Sequence, residues 1–251
     1  MKGVVALGAV IACSTLVLVG SAQSANRLQP VPILMYHVVS SPPGNAPYAE
    51  LYVPRASFAA QVGWLAGHGY HAVTLQQVFD SWRGAGTLPP KPIVLSFDDG
   101  YLSQVTNALP VLKARKWPGV LNLEYRNLKP VWGIRPPGIR KLLAAGWELD
   151  AHTLTHPDLT TVDAARLREE VAGSREAIHR RFHVPVNFFC YPAGRYNDAV
   201  IAAVQQAGYL GATTTRYGLA KPSELYTLAR LRINGSDSLS AFGAKLEAFA
   251  R

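Results

Sequence analysis

The chain has 251 residues, of which 25 are Lys or Arg and 16 are Asp or Glu, a formal net charge of +9. The basic residues are scattered except for a cluster over 166–181 on a predicted amphipathic helix, so no nucleic-acid partner is expected and a solvated or envelope-facing basic surface is. Two cysteines, Cys13 and Cys190, exclude a disulfide scaffold and leave stability to a hydrophobic core.

Met1-Lys2-Gly3 gives a positive start, residues 4–20 are almost wholly apolar, and 21–26 turn small and polar. That is the pattern of a secretory signal peptide, with cleavage after Ala22 or Ala25. An uncleaved anchor is the alternative, since the run is near the short limit of about 20 residues for a membrane span. A lipoprotein box at Val10-Ile-Ala-Cys13 is disfavoured because the apolar run continues past Cys13. Export is expected, to the periplasm, the medium or an envelope-anchored state. Residues 1–25 form that leader and 31–251 a single α/β domain.

In chain order, Ile33–Tyr36 reads as a short buried strand ending at His37, followed by a Pro- and Gly-rich loop over 40–54. Helices are predicted over 55–67 and 75–82, around a short strand near 71–74. A turn over 84–90 leads to a strand at Ile93–Phe97, which stops at Asp98-Asp99-Gly100. Then come a helix over 102–116, a strand over 119–125, a helix over 137–145 and a strand over 147–150 leading to His152. A long helix over 163–182, with Thr160 or Thr161 available as cap, precedes a strand over 186–191. The chain closes with a helix over 197–207, strands over 209–214 and 227–233, and a helix over 239–249. Strands alternating with helices imply a parallel sheet covered by helices. About seven such units predict an α/β fold, a distorted (β/α)7-type barrel whose closure is imperfect. His37, Asp98, Asp99, His152 and Tyr191 all fall at strand ends, where barrels of this kind place their chemistry.

Burying two neighbouring carboxylates is costly unless a metal ion, or a cation and a proton, compensates them. Successive side chains of an extended segment point to opposite sides, so Asp98 and Asp99 can hold different jobs, one on a metal and one facing substrate. The bland alternative is that Asp-Asp-Gly caps the following helix. Fifty residues on, His152-Thr-Leu-Thr-His156 places two imidazoles four residues apart, on one side of the chain if the segment turns helically. Two imidazoles and a carboxylate with an open fourth position form the layout of catalytic zinc sites, and the spare carboxylate suits a general base for hydrolysis.

Ser96-Phe-Asp-Asp-Gly100 and His152-Thr-Leu-Thr-His156 resemble the first two motifs of the NodB-homology polysaccharide deacetylases, carbohydrate esterase family 4, a likeness covering about 37–233. The resemblance implies that Asp98 is the general base and that Asp99, His152 and His156 bind one divalent metal ion, usually Zn2+, with Co2+ or Ni2+ as alternatives. The chain departs from the pattern twice. Cys190 stands where the third motif has Arg, and no His follows His183 to supply the usual late general acid. The branch acting on poly-β-1,6-N-acetylglucosamine in biofilm matrices shares Met35-Tyr36-His37 and a Tyr-Pro-x-Gly-x-Tyr-Asn segment like Tyr191–Asn197. By that likeness His37 is the acid and the Tyr191 backbone N–H helps hold an oxyanion; the alternative for Tyr191-Pro192 is that it merely ends a core strand.

The resemblance thus implies a metal-dependent N-deacetylase of an N-acetylglucosamine polymer, with chitin oligomers, peptidoglycan and acetylated xylan as alternative substrates. Two other classes stand beside it: a glycosidase with paired carboxylates, which fits neighbouring acids poorly, and a non-catalytic carbohydrate-binding protein on the same fold. Trp132, Trp147 and Tyr125 are candidates for a sugar-stacking wall or for core. Arg195 and Asn197 could touch sugar or begin a helix. Asp150 could orient a ligand imidazole or lie on the surface, and Cys190 is expected to be buried and inert.

Overall fold

The computed structural model describes residues 28–249, together with Met1 and Gly3; the leader expected over 1–25 lies outside the described residues. Eight parallel strands follow the chain: β1 (Ile33–Tyr36), β2 (His71–Ala72), β3 (Pro92–Asp99), β4 (Val120–Leu123), β5 (Glu148–Ala151), β6 (Phe188–Cys190), β7 (Gly211–Tyr217) and β8 (Leu228–Arg232). Between and after them run α1 (Arg55–Gly67), α2 (Leu75–Trp82), α3 (Leu109–Lys113), α4 (Pro136–Ala144), α5 (Ala164–Phe182), α6 (Asp198–Gln206) and α7 (Leu239–Glu247).

The sheet runs β1-β8-β7-β6-β5-β4-β3, and β1 pairs back onto β3, so seven strands close a ring. β1 meets β3 from Ile33↔Val94 to Tyr36↔Phe97, while β2 takes the start of the same β3 edge at His71↔Pro92. The predicted barrel is thus present, with β2 as an appendage outside the ring. Its weakest seam is β5–β6, joined at Ala151↔Phe189. There the Asp150 carboxylate takes the place of a strand carbonyl, accepting from the Phe188 N–H at 3.0 Å.

Short, apolar strands buried on both faces account for the core, as expected for parallel sheets covered by helices. Leu34, Leu95, Leu121, Leu149 and Phe189 are all buried. Within β3, Phe97 sits among Tyr36, Phe58 and Trp147, with ring centroids 5.4, 5.8 and 4.9 Å away. Trp147, a candidate for the sugar wall, is therefore core.

Two local predictions change. Asp163, not Thr160 or Thr161, caps α5 by accepting from the Arg166 N–H at 2.8 Å. The helix predicted over 102–116 opens with a π-turn at Gln104–Ala108 before α3, and Asp-Asp-Gly caps nothing: β3 runs through both acids. Gly100 then turns the chain at φ 94°, where an added Cβ would lie 2.7 Å from Leu123 Cδ1. Among the described residues no helix is long and apolar enough to cross a membrane.

Truncating Phe97 would leave a void between three rings. Phe97→Ala is expected to cost about 3–5 kcal/mol, read as a lowered urea midpoint at unchanged slope; a loss under about 1 kcal/mol would contradict this packing.

Candidate active site

Asp98 and Asp99 leave the end of β3 for different surroundings. Asp98 is buried against Arg230 of β8, whose Nη1 and Nη2 donate to Oδ1 and Oδ2, both at 2.8 Å. The Asn122 amide adds a third donor to Oδ1 at 2.7 Å. Arg230 is 1% exposed, yet all five of its hydrogens find acceptors. Nε donates to the Thr214 carbonyl, Nη1 also to Ser96 Oγ, and Nη2 also to the Cys190 sulfur, at 2.8, 3.2 and 3.3 Å. Burial alone would raise the Asp98 pKa, but Arg230, helped by His37, holds it well below the usual carboxylate range.

Arg230 was not legible as a site residue. Its place explains the first departure of the sequence pattern, because a guanidinium from β8 stands beside a small Cys190 on β6. The signal lay in an arginine inside a strand expected to be buried, which needs a carboxylate as much as Asp98 needs a cation.

Asp99 adopts a left-handed backbone at φ 72°, which turns its carboxylate towards the two imidazoles. Its Oδ1 lies 3.5 Å from His152 Nε2 and 3.9 Å from His156 Nε2. The His152–His156 segment is not helical as supposed. Thr153 and His156 sit at φ 67° and 59°, and Thr153 Oγ1 accepts from the His156 N–H at 2.8 Å. The buried carboxylate of Glu170, from α5, accepts from the Leu154 and Thr155 N–H groups at 2.7 and 2.9 Å. A carboxylate from the helix that follows thus shapes the turn that brings the rings together.

These three residues fit a divalent cation. His152 Nδ1 is 2.7 Å from the Cys190 carbonyl oxygen, which can only accept. The Nδ1 proton is therefore fixed, which leaves Nε2, facing Asp99, as the atom that would meet a cation; burial lowers the pKa of this ring, but Cys190 and the two aspartates push it up to about 10. Separations of 3.5 and 3.9 Å are too long for good hydrogen bonds, but ligands about 2.1 Å from a shared tetrahedral ion sit about 3.4 Å apart. Burial pushes Asp99 up to about 6, opposed by His152. It lowers His156, with help from His152, to about 4. A second set of potential donors, Asp98, His152 and Cys190, also lies close together, but there Asp98 and Cys190 are already engaged by Arg230.

His37, just past β1, places Nε2 3.8 Å from Asp98 Oδ2. Burial, reinforced by Arg230 and Arg232 against the pull of Asp98, lowers its pKa to about 4, so the ring is neutral at pH 7. A cavity of about 870 Å³ lies over His37, Asp98, Asp99, His152 and His156. Trp132, 50% exposed, lines it and packs on Tyr101 with ring centroids 5.2 Å apart.

The remaining expectations resolve as follows. The Tyr191 N–H, expected to face an oxyanion, donates instead to the Thr213 carbonyl at 3.1 Å, because β6 pairs with β7 there; the Tyr191 hydroxyl bonds the Tyr226 carbonyl. Asp150 is buried at the β5–β6 seam and holds no imidazole. Arg195 pairs with Asp158 at 2.6 Å, and Asn197 caps α6. Of the three aromatics proposed as a wall, only Trp132 lines the cavity; Tyr125 packs against the core.

Comparison with known proteins adds the following. The sequence profile described as polysaccharide deacetylase matches residues 85–212. YxkH of Bacillus subtilis, named for the same family, is 30% identical over 218 residues, 86% of this chain and 76% of that protein. The poly-β-1,6-N-acetyl-D-glucosamine N-deacetylase of Escherichia coli K12 is 25% identical over 77% of this chain, which spans 35% of that relative. The Streptococcus pyogenes deacetylase PplD shares the fold, with TM-score 0.80 and 23% identity over 87% of this chain and 98% of PplD.

Arg230→Met should leave Asp98 buried without a cation and cost about 3–5 kcal/mol at pH 7. Asp98 has a depressed folded pKa, so its contribution is present above the unfolded value of about 3.9 and is lost as pH falls below it. The variant, in which Asp98 gains a proton on folding, loses nothing there. Urea unfolding should therefore show the gap between the two proteins narrowing from pH 7 to pH 3; a constant gap would contradict the pairing.

Proposed function

The chain belongs to the polysaccharide deacetylase family, and we propose that it removes N-acetyl groups from poly-β-1,6-N-acetylglucosamine with Asp98 as base and His37 as acid. As a member it is an amide hydrolase of N-acetylated sugar polymers; the particular polymer and the residue roles are the proposal. The observation carrying the roles is the separation of the two acids. Asp98 is locked to Arg230, while Asp99 converges with His152 and His156 on one point at the floor of an open cavity.

Asp99, His152 and His156 would hold the cation. A divalent ion there lowers the pKa of coordinated water towards about 7 and polarises a carbonyl; Zn2+ suits a carboxylate and two imidazoles best. Asp98, kept anionic by Arg230, takes the proton of the attacking water. His37, 3.8 Å from Asp98 Oδ2 at the edge of the open cavity, takes up a proton from solvent there. His37 then delivers the proton to the amine nitrogen as the C–N bond breaks, leaving acetate and a free amine. Tyr191 is given no part, because its N–H is engaged in the sheet.

The choice of polymer is supported by His37 at the end of a Met-Tyr-His strand and by the E. coli relative's own substrate. Such a polymer lies outside the cytoplasm, in agreement with the export expected from the sequence of residues 1–25. The paired-carboxylate glycosidase is disfavoured because Asp98 and Asp99 are neighbours on one strand and do not flank a bond, and it would leave the two imidazoles idle. A purely binding role would leave the converged imidazoles and carboxylate unexplained.

Acetate and free-amine release should be measured on β-1,6- and β-1,4-linked N-acetylglucosamine oligomers. Chelation should abolish turnover and added divalent metal restore it, with the β-1,6 oligomer preferred. Asp98→Asn and His37→Ala should each lower kcat by about 10²–10⁴ without loss of bound metal. Full activity of Asp98→Asn would overturn the assignment, and preference for the β-1,4 oligomer would overturn the polymer.

A further inference from the structure

We infer that Gln104 is a positioning residue that ties the main chain of His37 to the main chain of Asp98, so that acid and base keep a fixed separation. This rests on the proposed roles of those two residues. The need arises from where the β1–β3 ladder ends. Its last register pair is Tyr36↔Phe97, so His37 and Asp98 are the first residues past it, and no strand bond links them. The His37 ring is 3.8 Å from Asp98 Oδ2, too far for a hydrogen bond to hold it. Ring placement then depends on where the backbone of residues 37–39 sits.

The π-turn supplies the missing tie. Gln104 Nε2 donates one hydrogen to the His37 carbonyl at 3.0 Å and the other to the Asp98 carbonyl at 2.7 Å. Both partners can only accept, which fixes the amide orientation. Two neighbours grip the next turn of the same segment: Ser103 Oγ accepts from the Val39 N–H at 3.1 Å, and Asn107 Nδ2 donates to the Val39 carbonyl at 2.7 Å. Such π-turns are uncommon and concentrate at functional sites. Gln104 itself is fully buried, so its amide is held in one place by the surrounding core.

A general acid matters when the leaving group is a poor one, as an amine is, and little for an aryl oxide, which leaves without a proton. The test therefore compares Gln104→Met with wild type on an N-acetylglucosamine oligomer and on 4-nitrophenyl acetate, using metal-loaded protein. The positioning role predicts that kcat on the amide falls by tenfold or more while KM, bound metal and aryl-ester turnover stay within about twofold. His37→Ala should show the same split, and the double variant should be no slower than His37→Ala alone. Ser103→Ala/Asn107→Ala, at less buried positions, should give a weaker split and serves if Gln104→Met does not fold. Equal loss on both substrates, or additive losses in the double variant, would overturn the positioning role. If His37→Ala itself shows no split, the acid assignment fails first and the inference falls with it.

Discussion

The buried ion pair between Arg230 and Asp98 is the constraint on which the site depends. Two charges removed from water lose hydration worth several kcal/mol each, and they recover it only when geometry and further hydrogen bonds are good. Here every hydrogen of the guanidinium has an acceptor, and Asp98 has donors from Arg230 and Asn122. The pair keeps Asp98 anionic inside the barrel and occupies both of its oxygens. It thereby decides which of two adjacent acids remains free for a cation. Without Arg230, two neighbouring carboxylates would compete for one ion or share one proton.

The rest of the site follows from how the chain leaves the strand ends. Asp99 turns into the left-handed region, as do Thr153 and His156. Non-glycine residues pay for that conformation with strain, and they keep it where the surroundings over-determine it. The Glu170 carboxylate on the Leu154 and Thr155 amides is one such surrounding element. The turn that carries the two imidazoles thereby acquires the rigidity of the long helix beside it. His37 is fixed differently, by a main chain held from the π-turn, and its neutrality follows from burial beside two arginines.

Much of this was legible in the sequence because it rests on local features. Strand–helix alternation gave the barrel, and Asp98-Asp99 with His152 and His156 marked the centre, since the fold brings strand ends together. What escaped depends on contacts across the ring. Arg230 lies 132 positions from Asp98, and its strand reads as ordinary core. A helical turn was one way for His152 and His156 to share a side, because spacing alone does not reveal left-handed residues or a supporting Glu170. Tyr191 was assigned by likeness, yet sheet pairing with Thr213 consumes its amide. Asp150 was open between an imidazole partner and a surface acid, whereas the thin β5–β6 seam claims its carboxylate.

The central claim is that a cation binds Asp99, His152 and His156 while Asp98 and Cys190 remain with Arg230. X-ray absorption spectroscopy at the zinc edge of the Zn2+-loaded protein tests it most directly, because sulfur at about 2.3 Å is readily told from nitrogen and oxygen at about 2.0–2.2 Å. The account predicts a shell of light atoms only, with imidazole scattering from two rings that drops to one in His156→Ala. A sulfur neighbour, or an unchanged imidazole signal in that variant, would place the ion in the Asp98–His152–Cys190 set and contradict the account.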